Sequence, residues 1–335
     1  MVPEGARIES TLVLPRIIMG GGTLHALTRR WSLPRDRRAL ALLDAALAAG
    51  CTAFDTARVY GHGLGERILG HWIRTRRVRD RVLIVSKGGH PDAVTASRVH
   101  PAFVAADLEA SLRALRVDAI DLYLLHRDDP SVPVGLIMSG LQRCVQAGKV
   151  RALGVSNWTH TRLEAANQFA HAHGLTPFTV TSPHFSLAEM QSPPWPGVLS
   201  ITGEAAADAR AWYTATRMPV LAWSPLAGGF MAGGRGLDEA QRRAYSGPLN
   251  DARRERAETL ARERGVPIAQ IALAYVLSQT MDVHPIVAAS TPAKLAALLE
   301  ATRIQLSPEE TRWLETGSRE PVTPRAPTHE CRSLS

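Results

Sequence analysis

Cysteine is scarce: Cys51, Cys144 and Cys331 stand far apart among 335 residues. An odd, widely spaced set excludes a disulfide scaffold and fits a reducing compartment, the cytoplasm by default. Lysine is equally rare, so the formal net charge of +8 rests on arginine, with only Lys87, Lys149 and Lys294 as lysines. Aromatic residues are 5% of the chain and do not interleave with basic runs such as Arg253-Arg254-Glu255-Arg256. Such runs read as solvated helix faces, and a nucleic-acid partner is not expected. No apolar run approaches the roughly 18 residues of a membrane span, so no membrane partner is expected. The N-terminal stretch carries its acids early and has no basic lead into an apolar core, unlike a signal peptide. With 26 glycines, 22 prolines and 45% hydrophobic residues, collagen-like, coiled-coil and grossly disordered chains are excluded. The length exceeds an average domain, but a barrel of this size folds as one unit.

What is present is alternation. Short β-branched runs at Leu14–Met19, Thr52–Thr56, Val82–Ser86, Ile120–Leu125, Ala152–Val155, Phe178–Thr181, Val220–Trp223 and Pro285–Ala288 predict strands. Amphipathic stretches lie between them: Arg37–Ala49, Leu64–Arg74, Pro101–Leu115, Val134–Ala147, Thr159–His173, Glu204–Thr216 and Ile268–Gln279. Glycine stops such as Gly50, Gly174 and Gly265 punctuate the pattern. Eight strands with intervening helices predict a parallel α/β architecture, and the count favours one closed (β/α)8 TIM barrel. The nearest dinucleotide fingerprint, Gly61-His62-Gly63-Leu64-Gly65, has its last glycine one position early, so a doubly wound fold is not supported.

In a barrel the chemistry belongs at the C-terminal strand ends. Those ends carry Asp55, with Tyr60 five residues on, then Lys87, His126, Ser156-Asn157 and Trp223-Ser224. Each has an ordinary reading of its own. Asp55 could cap a turn, Tyr60 could be a loop aromatic and His126 a rim histidine. Lys87, emerging from a buried strand, needs a partner, and Asp55 on the adjacent strand supplies one. Together an acid, a phenol, an amine and an imidazole make a proton donor. A Lys87 cation would favour the phenolate of Tyr60 and bring its pKa down from about 10. His126 could hydrogen-bond a substrate oxygen or relay the proton. The protein supplies the acid half of a carbonyl reduction, and the hydride must come from a nicotinamide.

At these residues the chain resembles the aldo-keto reductases. The matching stretches are Phe54-Asp55-Thr56-Ala57-x-x-Tyr60-Gly61, Val85-Ser86-Lys87, Asp121-Leu122-Tyr123-Leu124-Leu125-His126, Gly148-Lys149-Val150-Arg151-x-x-Gly154-Val155-Ser156-Asn157 and Trp223-Ser224-Pro225-Leu226-Ala227-Gly228-Gly229. They run in family order across roughly residues 10–315. The resemblance implies a (β/α)8 barrel that binds NADP(H) in extended form, with Asp55, Tyr60, Lys87 and His126 as the catalytic tetrad and Tyr60 as general acid/base. It further implies that Ser156 and Asn157 hold the nicotinamide carboxamide and that Trp223 stacks on the ring, hiding its B-face. Ser224, Leu226 and Gly228 would lie along the pyrophosphate, and Gly20 and Gly21 would line the nicotinamide pocket. No metal is implied.

The chain also departs from the family pattern. Ser182-Pro183-His184-Phe185 stands where many relatives carry Gln-x-x-Tyr, so Ser182 takes the place of a carboxamide-binding glutamine. On the adenine side Ser290 replaces a frequent arginine and Leu298 a frequent asparagine. The grip on a 2′-phosphate therefore hangs on Lys294 with Ser290 and Thr291, and use of NAD(H) beside NADP(H) stays open. Specificity is expected from Arg127-Asp128-Asp129, from the stiff insertion Gln191–Thr202 with Trp195, and from the long segment Gly229–Asn250. The barrel is expected over 1–317, with 318–335 as a flexible tail.

Other readings stay beside this one. Lys87 could form a Schiff base, as in a lyase or aldolase. A non-catalytic NADPH-binding regulatory subunit would share the cofactor residues, but nothing in the sequence marks a partner surface. A short-chain dehydrogenase would need Tyr-x-x-x-Lys, which is absent. Gly154-Val155-Ser156-Asn157-Trp158 fails the serine hydrolase elbow. His171 and His173, two apart on a helix pattern, face apart and give no zinc site. The expected partner is a small-molecule aldehyde, ketone or alcohol.

Overall fold

A computed structural model describes residues 7–9, 12–27, 36–234 and 236–320. Most of the tail expected over 318–335, together with Cys331, lies outside them. Strands β1 (Arg7–Glu9) and β2 (Leu12–Val13) form an antiparallel hairpin. The other eight close a parallel barrel: β3 (Ile18–Gly20), β4 (Ala53–Asp55), β5 (Leu83–Gly88), β6 (Ile120–Leu125), β7 (Val150–Ser156), β8 (Phe178–Ser182), β9 (Val220–Trp223) and β10 (Val283–Val287). They neighbour one another in chain order and β10 closes on β3. The expected (β/α)8 TIM barrel is the observed fold.

Strand alternation divides the core in two. Ile18, Ala53, Leu83, Val85, Leu122, Leu124, Ala152, Val180, Leu221 and Ile286 point into the barrel, joined by Leu12 and Leu14 from the hairpin side. Their neighbours Phe54, Ile84, Tyr123, Leu125 and Val155 point outward into the larger layer under the helices. The barrel is thus a packed core whose open chemistry is confined to its mouth. The first barrel strand begins at Ile18 rather than Leu14. Pro15 offers no amide proton for a ladder, and its carbonyl instead meets His284 Nδ1 at 2.7 Å. Leu14 still reaches the interior cluster, so its apolar character was correctly a core signal.

The expected helices form within a few residues of their predicted bounds, for example Arg37–Ala48, Pro101–Leu115 and Val134–Gln146. Helices also form at Glu239–Tyr245, Pro248–Arg264, Pro292–Leu299 and Pro308–Thr316. Two of these four start at capping boxes, Asp238 with Gln241 and Ser307 with Glu310. The segment Gly229–Asn250, expected as a loop, is therefore largely helical where it is described. Among the described residues no helix is long and apolar enough to cross a membrane.

Candidate active site

Register sets the site. Gly20 lies opposite Asp55, Asp55 opposite Val85, and Lys87 opposite Leu124, so the ends of β3 to β6 meet along one arc of the mouth. Asp55 and Lys87 are each 3% exposed and His126 7%. Lys87 Nζ donates to Asp55 Oδ1 and, at 3.1 Å, to the carbonyl of Thr56. Past the end of β4 the chain still pairs with β5, through Thr56 N to Val85 O at 2.8 Å and Arg58 N to Lys87 O at 2.9 Å. A turn with positive φ at Gly61, His62 and Gly63 then folds Tyr60 back over the pair. Lys87 Nζ lies 5.2 Å from the centre of the Tyr60 ring. The Tyr60 and His126 rings meet edge to face, 5.7 Å apart. All four expected tetrad residues come together.

Burial and charge compete at each of them. Burial disfavours the Lys87 cation, but the charges and hydrogen bonds of Asp55 and Tyr60 outweigh it and hold the ammonium above its ordinary range. Burial pushes the Tyr60 phenol up, and the pull of Lys87 in the other direction does not cancel it. The expectation that Lys87 brings the phenol below its usual value is thus corrected: a partner was visible in the sequence, but the desolvation opposing it was not. Burial, with the nearby charges of Lys87, Arg127 and His90, holds His126 well below the ordinary histidine range. Its imidazole is neutral at working pH. His126 Nδ1 is buried without a hydrogen-bond partner among the described residues.

The neighbouring strand ends fit a flat, amide-bearing ring. Asn157 Nδ2 donates to the His126 carbonyl at 3.2 Å and to Ser156 Oγ at 3.0 Å. Its Oδ1 accepts from Leu199 N and from Trp223 Nε1, both at 3.1 Å. Ser156 Oγ donates to the carbonyl of Ser182, and Ser182 Oγ to that of Leu221, each at 2.8 Å. Both hydroxyls keep acceptor capacity, whereas the Asn157 amide is fully engaged inside the protein. Trp223 is part-buried, with its ring 4.9 Å from His184 on one side and 6.1 Å from Trp195 on another.

Backbone conformation marks the same region. Among the described residues seven non-glycine residues have positive φ. Arg77, Arg116 and Arg217 cap helices, an ordinary use of that conformation. Asn157, Ser224 and Ala227 do not; they stand with Gly228 and Gly229 at the mouth, where strain is a functional signature. Gly21 permits a close approach, since a Cβ there would lie 2.7 Å from the Asp55 carbonyl. Leu226 is part-buried and Gly228 exposed beside Gln241. On the far side Ser290 and Lys294 are exposed at the start of the helix Pro292–Leu299, whose cap Thr291 accepts from Lys294 N at 3.2 Å. Leu298 faces the core instead.

Arg127, expected from the sequence as part of a specificity segment, stands at the mouth with two residues given no role there, His90 and His184. Arg127 is buried and bonded to the carbonyls of His126 and Pro196. His90 packs edge to face on His126, 5.0 Å between centres. His184, behind Trp223, meets Ser200 Oγ at 2.9 Å and Tyr245 OH at 3.2 Å. Its position directly after His126 marked Arg127 in the sequence, whereas no signal marked His90 or His184. Among the described residues no cluster of metal-ligating side chains exists.

Barrel and mouth together gather these titratable groups at the strand ends where barrel enzymes carry their chemistry. Residues 16–316 match the Aldo/keto reductase family model. The chain is 28% identical to aldo-keto reductase AFTS1 of Alternaria alternata, over 93% of this chain and 90% of that protein. It is also 28% identical to the probable aryl-alcohol dehydrogenase AAD4 of Saccharomyces cerevisiae, over 83% and 87% respectively. A crystal structure of the thermostable aldo-keto reductase Tm1743, in complex with the inhibitor epalrestat, superposes with a TM-score of 0.71 at 25% identity, covering 93% of this chain and 98% of that one. The chain belongs to the aldo/keto reductase family, barrel oxidoreductases that generally use a nicotinamide cofactor.

Proposed function

We propose that this protein reduces an aldehyde or ketone to its alcohol with NADPH, or runs the reverse, and that Tyr60 is its general acid/base. The observation that carries the reading is the convergence of Tyr60, Lys87, Asp55 and neutral His126 on one arc of the mouth. The neutral His126 imidazole donates a hydrogen bond to the carbonyl oxygen and orients it. Tyr60, held protonated by its burial, hands that oxygen a proton as negative charge develops on it. Lys87 stabilises the phenolate left behind, and Asp55 keeps Lys87 charged and immobile. A bound nicotinamide supplies the hydride. Trp223 offers a flat wall for that ring, and the hydroxyls of Ser156 and Ser182 offer acceptors for its amide. Asn157 acts chiefly by fixing Trp223, unless it exchanges its indole bond for the carboxamide. Gly20 stands opposite Asp55 and Gly21 lets the backbone pass close to the Asp55 carbonyl, which positions this side of the pocket, and Ser224, Leu226 and Gly228 line the strained loop that suits a pyrophosphate. Ser290 and Lys294 meet the 2′-phosphate, with NAD(H) as a weaker alternative.

Lys87, ion-paired and held as an ammonium, is a poor Schiff-base nucleophile. Neither that lyase reading nor a purely regulatory one is favoured by the family relationship. Titration with NADPH and with NADH, followed by tryptophan fluorescence, tests the cofactor. We expect quenching by NADPH at concentrations at least ten-fold lower than by NADH, and a Lys294→Ala variant that removes most of that preference. Loss of one exposed charge-assisted contact is worth about 1.5–3 kcal/mol at most. Equal quenching would assign dual use, and no quenching by either would overturn the hydride-transfer reading.

A further inference from the structure

We infer that Arg127 recognises a carboxylate on the carbonyl substrate, which makes oxoacids or carboxylated aldehydes the preferred class; the inference rests on the hydride-transfer reading above. Arg127 is 8% exposed and forms no ion pair among the described residues. A guanidinium stays charged and has five N–H donors. Nε donates to the Pro196 carbonyl at 3.2 Å and Nη1 to the His126 carbonyl at 2.9 Å, both neutral acceptors. Three N–H groups are left without a protein acceptor among the described residues. A charge taken out of water without a counter-charge is costly, and the usual remedy is a bound anion.

The surroundings leave that charge uncompensated on this wall of the mouth. Lys87 is neutralised by Asp55. The acids next in sequence are turned elsewhere, Asp128 to Arg162 at 2.7 Å and Asp129 to Ser131 Oγ at 2.6 Å. His126 and His90 add no positive charge, since burial holds both below their ordinary range. Arg127 Nη1 bonds the His126 backbone carbonyl, and its charge is close enough to act on both the His126 imidazole and the Tyr60 phenol. Through Pro196 it also ties down the insertion that carries Trp195, a half-exposed ring facing Trp223. A planar guanidinium fork matches a carboxylate in shape and charge, and the two indoles suit a flat substrate body.

The competing account is that Arg127 only anchors the insertion. Reduction of 2-, 3- and 4-carboxybenzaldehyde, each against its methyl ester, separates the two, because acid and ester differ in charge more than in shape. For at least one isomer the wild-type kcat/KM should favour the acid at least ten-fold, mainly through KM. In Arg127→Met that acid-to-ester ratio should collapse towards one, and Arg127→Lys should restore part of it. A wild-type ratio near one for all three isomers, or a ratio unchanged in Arg127→Met, overturns the inference. Should Arg127→Met fail to fold, the wild-type ratio and competitive inhibition by benzoate decide alone, absence of either counting against it. If neither acid nor ester is turned over although NADPH binds, the hydride-transfer reading fails by itself. Tighter binding of acid than ester to the NADPH complex, read by fluorescence, then still supports Arg127, and equal binding overturns it.

Discussion

Tyr60 sits between two opposed influences, desolvation that keeps its proton on and a lysine 5.2 Å from its ring centre that favours losing it. Desolvation wins, so the phenol is protonated throughout the neutral range. The active form for reduction is the protonated one, and it is lost only as pH rises through a value above the ordinary phenol range. We therefore expect kcat for reduction to stay flat from pH 6 to 9 and the oxidation direction, which needs phenolate, to climb with pH; steady-state rates in both directions check this. A fall in reduction rate centred near neutral pH would mean that Lys87 dominates. The meeting of Asp55, Lys87 and His126 was legible at the strand ends, because alternation fixes which side chains face the mouth, whereas Tyr60 is brought to them by the turn beyond β4. Their proton affinities were not, since those depend on burial by elements distant in the chain. Arg127 illustrates the same limit: its position beside His126 was plain, but its contact to Pro196 spans 69 residues.

The elements divide by how their signals are written. Barrel strands and the helices with clear apolar stripes were predicted to within a few residues, because period and length agree. Pro248–Arg264 was missed because its sequence is dominated by charge. Only a narrow stripe of Asn250, Arg253, Ala257, Leu260 and Ala261 is buried, and two of those five are polar. The arginine is satisfied by the carbonyls of Leu187 and Glu315 and by Glu189, none of which is near in sequence. Pro308–Thr316 was readable from Ser307-x-x-Glu310, had the capping box been weighed against its short length. The turn after β3 ties element to site: Gly21 N donates to the Asp55 carbonyl at 2.6 Å. A Gly21→Ala change would drive a methyl into that carbonyl. We expect it to cost about 1–3 kcal/mol, seen as a lowered thermal midpoint, and to reduce turnover more than a surface alanine does.

At the scale of the whole molecule, two buried histidines, His126 and His184, and the part-buried His90 are held neutral, and this sets the response to acid. Burial brings the His184 imidazole down to about 3, and His126 and His90 are also depressed. The unfolded chain binds those protons near the ordinary value of about 6.5, before the folded one does. Stability contributed by the three neutral rings is therefore complete above about pH 6.5 and is lost as pH falls from there towards 3. The slope is up to about 1.4 kcal/mol per pH unit for each ring whose unfolded form alone is protonated. Urea unfolding at pH 7, 5.5 and 4.5 should show falling midpoints, and His184→Gln should flatten that dependence. An unchanged dependence in the variant would contradict the burial of a neutral ring at this position. The closed barrel itself was legible from eight evenly spaced strand signals, whereas the hairpin ahead of it was not, because two- and three-residue strands leave no periodicity to read.

The most direct test of the central claim is a single-turnover reaction with NADPH deuterated on the ring face that the proposed Trp223 stacking would leave open, using wild type and Tyr60→Phe. The alcohol formed by wild type should carry the deuterium on its former carbonyl carbon. The variant should still bind NADPH but react about 10²–10⁴-fold more slowly. Alcohol without deuterium, or a Tyr60→Phe protein as fast as wild type, would contradict it.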